Sequence, residues 1–246
     1  MKRVRAVFLT LFLVVIAAAL AFVAWARNAH GPEPAAYSTA LADPSVVVAR
    51  RDGFITIRPR SSHPKVGLLF YPGARVAPEA YVAKLAAISA AANIQIAIGR
   101  PRLNLAVFSI DQADAMRSTL PGVTQWYVGG HSLGGAMACL YASRHADRLE
   151  GVVLLGTYCG SDISKTTLRV LDVTGENDGV LPPGKVFQAR GELPKAANIV
   201  QIAGMNHAQI GNYGPQPGDH AASITDATAT RLLVEAVKTF FADPSV

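Results

Sequence analysis

Outside its first 27 residues, the chain carries almost no net charge. Its formal charge of +6 comes largely from four basic residues near the N-terminus, which are Lys2, Arg3, Arg5 and Arg27. The rest of the chain holds 19 basic against 17 acidic residues, which gives no electrostatic indication of nucleic-acid binding. Internal repeats are also lacking. With 246 residues, half of them hydrophobic, the chain suffices for one domain with a large core.

The chain has only two cysteines, Cys139 and Cys159. Neither lies near the N-terminus, so neither offers a site for lipid attachment there. The two could form a disulfide in an oxidising compartment. However, Cys139 lies about two helical turns beyond Ser132, and Cys159 is predicted at the upper end of the following strand. The spacing leaves their pairing open, and we expect two free, half-buried thiols rather than a disulfide.

The longest uninterrupted feature is an apolar run from Ala6 to Ala26, 21 residues without a charge. At about 1.5 Å of rise per residue, a helix of this length spans the hydrocarbon core of a bilayer. The basic residues before it are typical of the cytoplasmic side, and Trp25 and Arg27 suit the opposite membrane surface. We therefore predict a transmembrane signal anchor over residues 1–27, with the rest of the chain facing out of the cytoplasm.

A cleaved secretory signal is the alternative, since Ala24-Trp25-Ala26 provides small residues at the spacing of a cleavage site. The length of the apolar run favours the anchor. Residues 28–44 are rich in alanine, proline and glycine without a period, which predicts a linker. Residues 45–246 then form the globular domain, which lies outside the cytoplasm under either interpretation.

Eight short apolar runs alternate with helical patterns through this domain. The first two are joined through Asp52-Gly53, which predicts a hairpin. The later runs are typical of a parallel sheet that helices cover on both faces. The predicted class is therefore α/β, with a mostly parallel eight-stranded sheet flanked by helices. The expected strands are residues 45–50, 54–58, 66–71, 94–98, 125–128, 152–155, 168–174 and 199–203.

The segment from Gln125 to Ala138 predicts a strand, a turn that carries one serine, and a helix. Within it, Gly130-His131-Ser132-Leu133-Gly134 fits the pattern G-x-S-x-G. Small residues beside such a serine permit a strained turn, which exposes the hydroxyl while the strand and the helix pack closely. An ordinary glycine-rich turn is the alternative interpretation. The flanking strand and helix favour Ser132 as a nucleophile.

A serine hydroxyl needs a neutral imidazole to take its proton and a carboxylate to orient that imidazole. In a parallel sheet such side chains lie at the carboxyl ends of strands. Asp178 follows the seventh predicted strand and His207 follows the last one, so we predict that they serve Ser132 as acid and base. The rivals are Asp172, which lies inside a strand, and His220, which lies 13 residues farther along the loop.

Acyl transfer also requires donors for the developing oxyanion, each worth roughly 3–4 kcal/mol. We predict two backbone amides, that of Leu133 at the start of the helix and that of Ala74 in the loop after the third strand. Arg75 and Asn104 are candidates for the substrate entrance, although a solvated loop position is the simpler interpretation of each. No metal and no cofactor is predicted for this chemistry.

Together these features resemble the α/β-hydrolase superfamily over about residues 46–241. The resemblance is carried by the hairpin strands, the Pro-Gly loop, GHSLGG, GENDGV and a histidine just past the final strand. In finer detail, LLFYPGARVAPEAY, GRPRLNLAVFSID and NHAQIGNYGPQPGD are similar to the small group named alpha/beta hydrolase fold-5, related to the dienelactone hydrolases. The resemblance implies Ser132 as nucleophile, Asp178 as acid and His207 as base.

Two departures refine the implied activity. The dienelactone hydrolases use a cysteine nucleophile, whereas this chain has Ser132, which favours a carboxylic ester over a lactone. Only a dozen residues separate Leu155 from Leu168, too few for the cap domain that many lipases and esterases insert there. We therefore expect an open site, which suits a small-molecule ester and argues against bulk lipid interfaces. The alternatives are an acyltransferase with the same triad and a catalytically idle binding module.

Overall fold

The computed structural model describes residues 2–243, in which eight strands and seven helices are found. The strands are β1 (Val46–Arg51), β2 (Phe54–Pro59), β3 (Val66–Tyr71), β4 (Gln95–Ile98), β5 (Gln125–His131), β6 (Gly151–Leu155), β7 (Arg169–Gly175) and β8 (Asn198–Ile202). The helices are α1 (Lys2–Arg27), α2 (Pro34–Ala42), α3 (Val82–Ala92), α4 (Gln112–Arg117), α5 (Leu133–Arg144), α6 (Pro183–Ala189) and α7 (Asp226–Ala242). All eight predicted strands are present, and β5 continues three residues beyond its predicted end.

The strands form one sheet in the order β1-β2-β4-β3-β5-β6-β7-β8. β1 and β2 are an antiparallel hairpin that turns through Asp52 and Gly53, whose φ angles are 49° and 84°. β2 pairs antiparallel with β4, and each pair from β4 across to β8 is parallel. The predicted class is therefore confirmed. Parallel pairing places the carboxyl ends of β3 to β8 along one edge of the sheet.

Helices cover both faces of the sheet. On one face, α3 and α7 contribute Leu85 and Val237 to a buried core. On the other, α4 and α5 contribute Met116 and Ala138. All five residues of β6 are buried, as a strand between two helical layers requires. Only residues 156–168 separate β6 from β7, and no cap domain is inserted there.

The N-terminal helix α1 is long and apolar enough to cross a membrane. Its segment Arg5–Arg27 has a mean hydropathy of 3.0, and none of its most apolar window is buried within the protein. The core helix of a soluble domain would instead bury one face. An anchor and a cleaved signal share these properties, so the choice between them stays a prediction, as does the division at residues 27 and 44.

The segment 28–44, predicted as a structureless linker, contains α2. The helix begins at Pro34, which suits a first turn because its missing N–H has no intrahelical partner there. Tyr37 and the buried Ala40 pack into the core beside α3. The segment therefore packs on the domain through α2, and its role as a linker stays a prediction. Sequence periodicity missed α2 because only a narrow stripe of this alanine-rich helix contacts the domain.

The two cysteines form a disulfide, contrary to the expectation of free thiols. Cys139 lies in the second turn of α5 and Cys159 in the loop after β6, with their Cα atoms 5.5 Å apart. Both side chains are fully buried rather than half-buried. α5 packs directly against β6. That packing brings the helix face bearing Cys139 over the start of the loop, a tertiary contact that the sequence spacing does not contain.

We expect the disulfide to stabilise the domain. It joins residues separated by 20 positions, and loop-closure entropy at that length corresponds to about 3 kcal/mol. Reductant should therefore lower the thermal midpoint of the wild-type protein, as measured by circular dichroism. A Cys139→Ala/Cys159→Ala variant should unfold at a lower midpoint that does not respond to reductant. A wild-type midpoint that is equally insensitive would contradict the proposed stabilisation.

Candidate active site

Ser132 occupies a strained turn between β5 and α5. Its backbone has φ 53° and ψ −127°, a conformation that residues with a side chain rarely adopt. Its amide donates to the carbonyl of Leu155 on the neighbouring strand, at 3.1 Å. The turn is tight because Gly134 faces the backbone of the loop after β3, where an added Cβ would overlap the carbonyl oxygens of Tyr71 and Pro72. The serine is held half-buried at the carboxyl edge of the sheet.

Asp178 and His207 form a bonded pair in the loops after β7 and β8. The Asp178 Oδ2 lies 2.7 Å from the His207 Nδ1. The other carboxylate oxygen accepts from the amides of Val180 and Leu181, both at 2.9 Å. These two donors hold the carboxylate as an acceptor, so the imidazole proton belongs on Nδ1 and Nε2 is left as the basic nitrogen. The histidine is fully buried and the aspartate side chain is 4% exposed.

The Nε2 atom of His207 is available to form a hydrogen bond. Among residues 2–243, no protein group hydrogen-bonds to this buried Nε2, and the Ser132 hydroxyl has no recorded hydrogen-bond partner either. The ring of His131, the residue before the serine, lies 4.4 Å from the His207 ring, centroid to centroid. The structure thus brings the predicted acid and base together beside the serine turn, without a direct bond between serine and histidine.

Asp219 is a site residue that the sequence reasoning missed. Its Oδ1 accepts from the amides of Gly179 at 3.0 Å and His207 at 3.2 Å, and its Oδ2 accepts from that of Ala208 at 2.9 Å. The Oδ1 also accepts from the amide of His220. One carboxylate therefore ties the loop that carries Asp178 to the loop that carries His207. The available signal was an acidic residue within NHAQIGNYGPQPGD, to which no role was assigned.

Tyr81 and His131 form a second network that the sequence did not reveal. The Tyr81 hydroxyl accepts from the amide of Gly73 and lies 2.9 Å from the His131 Nδ1. Since the hydroxyl already accepts from Gly73, its own proton points to His131. Burial, and then the nearby charge of His207, lower the pKa of His131 well below its usual value. His131 is therefore neutral, and it connects the loop after β3 to the face of the His207 ring.

The two amides predicted for the oxyanion, those of Leu133 and Ala74, have no hydrogen-bond acceptor among residues 2–243. Leu133 is the first residue of α5, so its N–H has no intrahelical acceptor. The amide of Ala74 likewise donates to no recorded acceptor in the described part of the chain. Its neighbours are fixed: the Gly73 amide bonds to Tyr81, and that of Arg75 donates to the carbonyl of Asn104 at 2.8 Å.

Arg75 and Asn104, the candidates for the substrate entrance, contact the end of α1. The Arg75 guanidinium donates to the carbonyl of Asn28 and lies 4.7 Å from the centre of the Trp25 ring. The Asn104 side chain donates to the carbonyl of Ala26 at 3.1 Å. Both residues have positive φ, 55° and 53°. Their proposed role at the entrance stays a prediction.

The rival residues have different surroundings. Asp172 lies inside β7 and is 3% exposed, with one oxygen lacking a partner among the described residues. Burial raises the pKa of its carboxyl to about 6, and the charge of Arg190 opposes that shift. His220 is exposed, and its backbone rather than its ring bonds to Asp219 and Asn206. Within residues 2–243, neither the Asp172 carboxylate nor the His220 ring is hydrogen-bonded to a second titratable side chain.

One cavity borders Asp178, and another is lined by the residues on either side of His207. One of about 270 Å³ lies beside Asp178 and is lined in part by Leu181 and Phe187. A larger one, of about 500 Å³, is lined by the loop after β8, including Asn206 and His220. Among residues 2–243, no cluster of three or more His, Cys, Asp or Glu side chains is arranged to hold a metal.

The profile of the Alpha/beta hydrolase family matches residues 67–231. Similar solved structures include Est1E from Butyrivibrio proteoclasticus, 16% identical with a TM-score of 0.56 over 80% of this chain and 98% of that one. Est1E has also been solved with ferulic acid bound. Carboxyl esterase 2 from the mycorrhizal fungus Tuber melanosporum is 14% identical, with a TM-score of 0.57 over 80% of this chain and 87% of that one. A comparison with curated proteins gave no match. Such identities show a shared fold.

The buried Asp172 gives a prediction about stability. Burial raises the pKa of the Asp172 carboxyl from 3.8 to about 6. Between about pH 4 and pH 6, the native state therefore binds more protons than the unfolded state. Stability should therefore fall as pH rises through that window. Asp172→Asn removes the titrating group and should flatten the curve, measured by urea unfolding. Asp147→Asn, at an exposed position, controls for the loss of one negative charge. Equal slopes in wild type and Asp172→Asn would show that burial does not perturb this carboxyl.

Proposed function

The chain belongs to the alpha/beta hydrolase family, and we propose that it is a serine hydrolase of carboxylic esters, held by α1 on the outer face of a membrane. The observation that carries the proposal is the buried Asp178–His207 pair, whose free Nε2 lies beside the strained turn of Ser132. A carboxylate, an imidazole and a serine hydroxyl are the groups that this chemistry needs. The esterases among the similar structures support an ester as substrate.

In the proposed first half-reaction, the Ser132 Oγ attacks the ester carbonyl carbon while the His207 Nε2 takes the hydroxyl proton. The carbonyl oxygen becomes an oxyanion, to which the amides of Leu133 and Ala74 donate. Collapse of the tetrahedral intermediate breaks the ester C–O bond, and the imidazolium gives its proton to the departing alcohol. Asp178 keeps the proton of the neutral imidazole on Nδ1 and stabilises the imidazolium when it forms.

The second half-reaction repeats these roles with water. The His207 Nε2 takes a proton from water as the oxygen attacks the acyl-enzyme carbonyl, and returns it to the Ser132 Oγ when the acid leaves. The bonds that hold Asp178 and the His207 backbone in place exist before substrate binds. The acid and base therefore need little reorganisation, which is the condition under which electrostatic stabilisation contributes most.

The outward orientation has two lines of support. The basic residues in the first turns of α1 favour the cytoplasmic side for its beginning. The buried Cys139–Cys159 disulfide is of a kind that persists in oxidising compartments. If the domain were in the cytoplasm, these two thiols would be kept reduced.

A membrane-impermeant fluorophosphonate tests the nucleophile and the orientation together. Added to intact cells that express the full chain, it should label the protein in the membrane fraction, because the proposed Ser132 faces outward. Ser132→Ala should abolish labelling, whereas Ser143→Ala, in the same helix but on its last turn, should not. Labelling only after lysis would refute the orientation. Labelling that survives Ser132→Ala would refute the nucleophile.

The proposed acid and base predict a distinct set of variants. Asp178→Asn should keep the fold and reduce turnover of p-nitrophenyl acetate by about 10⁴, because the imidazole loses the partner that sets its tautomer. His207→Ala should be similarly impaired, while His220→Ala should keep near wild-type turnover. Near wild-type activity in His207→Ala, or its loss in His220→Ala, would move the base to His220. Product analysis with added alcohols would distinguish hydrolysis from acyl transfer.

A further inference from the structure

The end of α1 is bonded to the loop that carries the Ala74 amide. The Arg75 guanidinium donates to the carbonyl of Asn28 through two nitrogens, at 2.7 and 3.2 Å, and lies over the ring of Trp25. In return the backbone amide of His30 donates to the carbonyl of Arg75 at 2.7 Å. Arg75, which follows the proposed oxyanion donor Ala74, is thus held to the end of α1 through both its side chain and its backbone.

Further contacts fix the direction in which α1 leaves the domain. The amide of Ala77 donates to the carbonyl of His30, which completes a parallel bridge between His30 and Val76. The Asn104 side chain donates to the carbonyl of Ala26, a residue that is itself fully buried. Two loops that follow neighbouring parallel strands, β3 and β4, therefore hold the helix end. α1 is not a free tether at this end.

These loops lie on the carboxyl edge of the sheet, as does the serine turn. Gly73 approaches His131 so closely that an added Cβ would lie 3.0 Å from the His131 Nδ1. Ala74 therefore lies between a residue that contacts the serine turn and Arg75, which contacts the helix end. If α1 spans the bilayer as proposed, the loops that hold its end and the edge that carries Ser132 lie next to the membrane surface.

The surface around this helix end has the composition of a bilayer interface. Four exposed apolar side chains form what we call the membrane collar: Phe22, Trp25, Val107 and Phe108, exposed by 41%, 48%, 40% and 48%. Phe22 and Phe108 are in edge-to-face contact at 6.4 Å. Arg27 and Arg102 are exposed nearby in sequence. Aromatic rings such as that of Trp25 are enriched at the level of lipid headgroups, and exposed arginine side chains near a helix end can extend to the same level.

We infer that the substrate is an amphiphilic ester whose acyl chain remains in the outer leaflet while its carbonyl reaches Ser132. The inference rests on the proposed function and adds the class of its substrate. It reverses the expectation, drawn from the missing cap, that an open site disfavours lipid interfaces. The bilayer surface covers the membrane side of the site, where α1 and the loops after β3 and β4 meet.

Quenching of a bound probe measures the depth of the site directly. Full-length protein in phosphatidylcholine vesicles is labelled with a fluorescent fluorophosphonate. Lipids that carry a nitroxide high on the acyl chain should quench the fluorophore, and aqueous iodide should quench it weakly. Labelling followed by quenching from iodide alone would overturn the inference and leave the proposed function intact. Failure to label would instead refute the proposed nucleophile.

A pair of variants tests the collar with two substrates. Phe108→Asp should lower the hydrolysis of p-nitrophenyl palmitate dissolved in the vesicles by about tenfold, since one buried aromatic contact with lipid is lost. It should leave hydrolysis of water-soluble p-nitrophenyl acetate unchanged. Leu41→Asp, at an equally exposed position on α2 (51%), should change neither rate. Equal effects of Phe108→Asp on both esters, or no effect on either, would contradict a membrane-held substrate.

Discussion

The close approach of the β3 loop to the turn between β5 and α5 is the constraint on which the rest of the site depends. A side chain at Gly130 would overlap the Tyr71 carbonyl, and one at Gly134 would overlap the carbonyls of Tyr71 and Pro72. Without this contact, Ser132 would not be held at φ 53°, a conformation that costs about 1–3 kcal/mol. Buried strands and α5 compensate for that cost. The proposed oxyanion donors, Ala74 and Leu133, belong to the two segments whose backbones make this close approach.

A second constraint sets the other half of the site. The loops after β7 and β8 carry Asp178 and His207 on largely irregular backbone, apart from one 3-10 turn at Ala208–Ile210. The carboxylate of Asp219 holds both loops in place, because it accepts hydrogen bonds from four of their backbone amides. Hydrogen bonds to a charged acceptor are stronger than neutral ones, and here they are partly buried. The Asp219 side chain thus fixes the positions of these loops, just as backbone pairing in the parallel sheet fixes the positions of the strands.

Features that depend on local sequence pattern could be predicted, whereas features that depend on contacts between distant parts of the chain could not. The strands were readable because burial on both faces leaves continuous apolar runs, and the strand ends then located Asp178 and His207. Tyr81 was not readable as a site residue, since its role depends on bonds to Gly73 and His131 that only the folded sheet creates. The Cys139–Cys159 bond and α2 were missed for the same reason: both depend on which surfaces pack together.

The contacts at the end of α1 also bear on whether the leader is retained. Cleavage after Ala26 would leave Arg27 as the first residue. It would remove the ring under the Arg75 guanidinium and the carbonyl that accepts from Asn104. Both contacts belong to the loops beside Ala74, and Ala26 itself is fully buried against the domain. A signal segment removed from the mature protein has no need of such packing. α1 and the loop that carries Ala74 are held together by these contacts, which favours the proposed anchor over a cleaved signal.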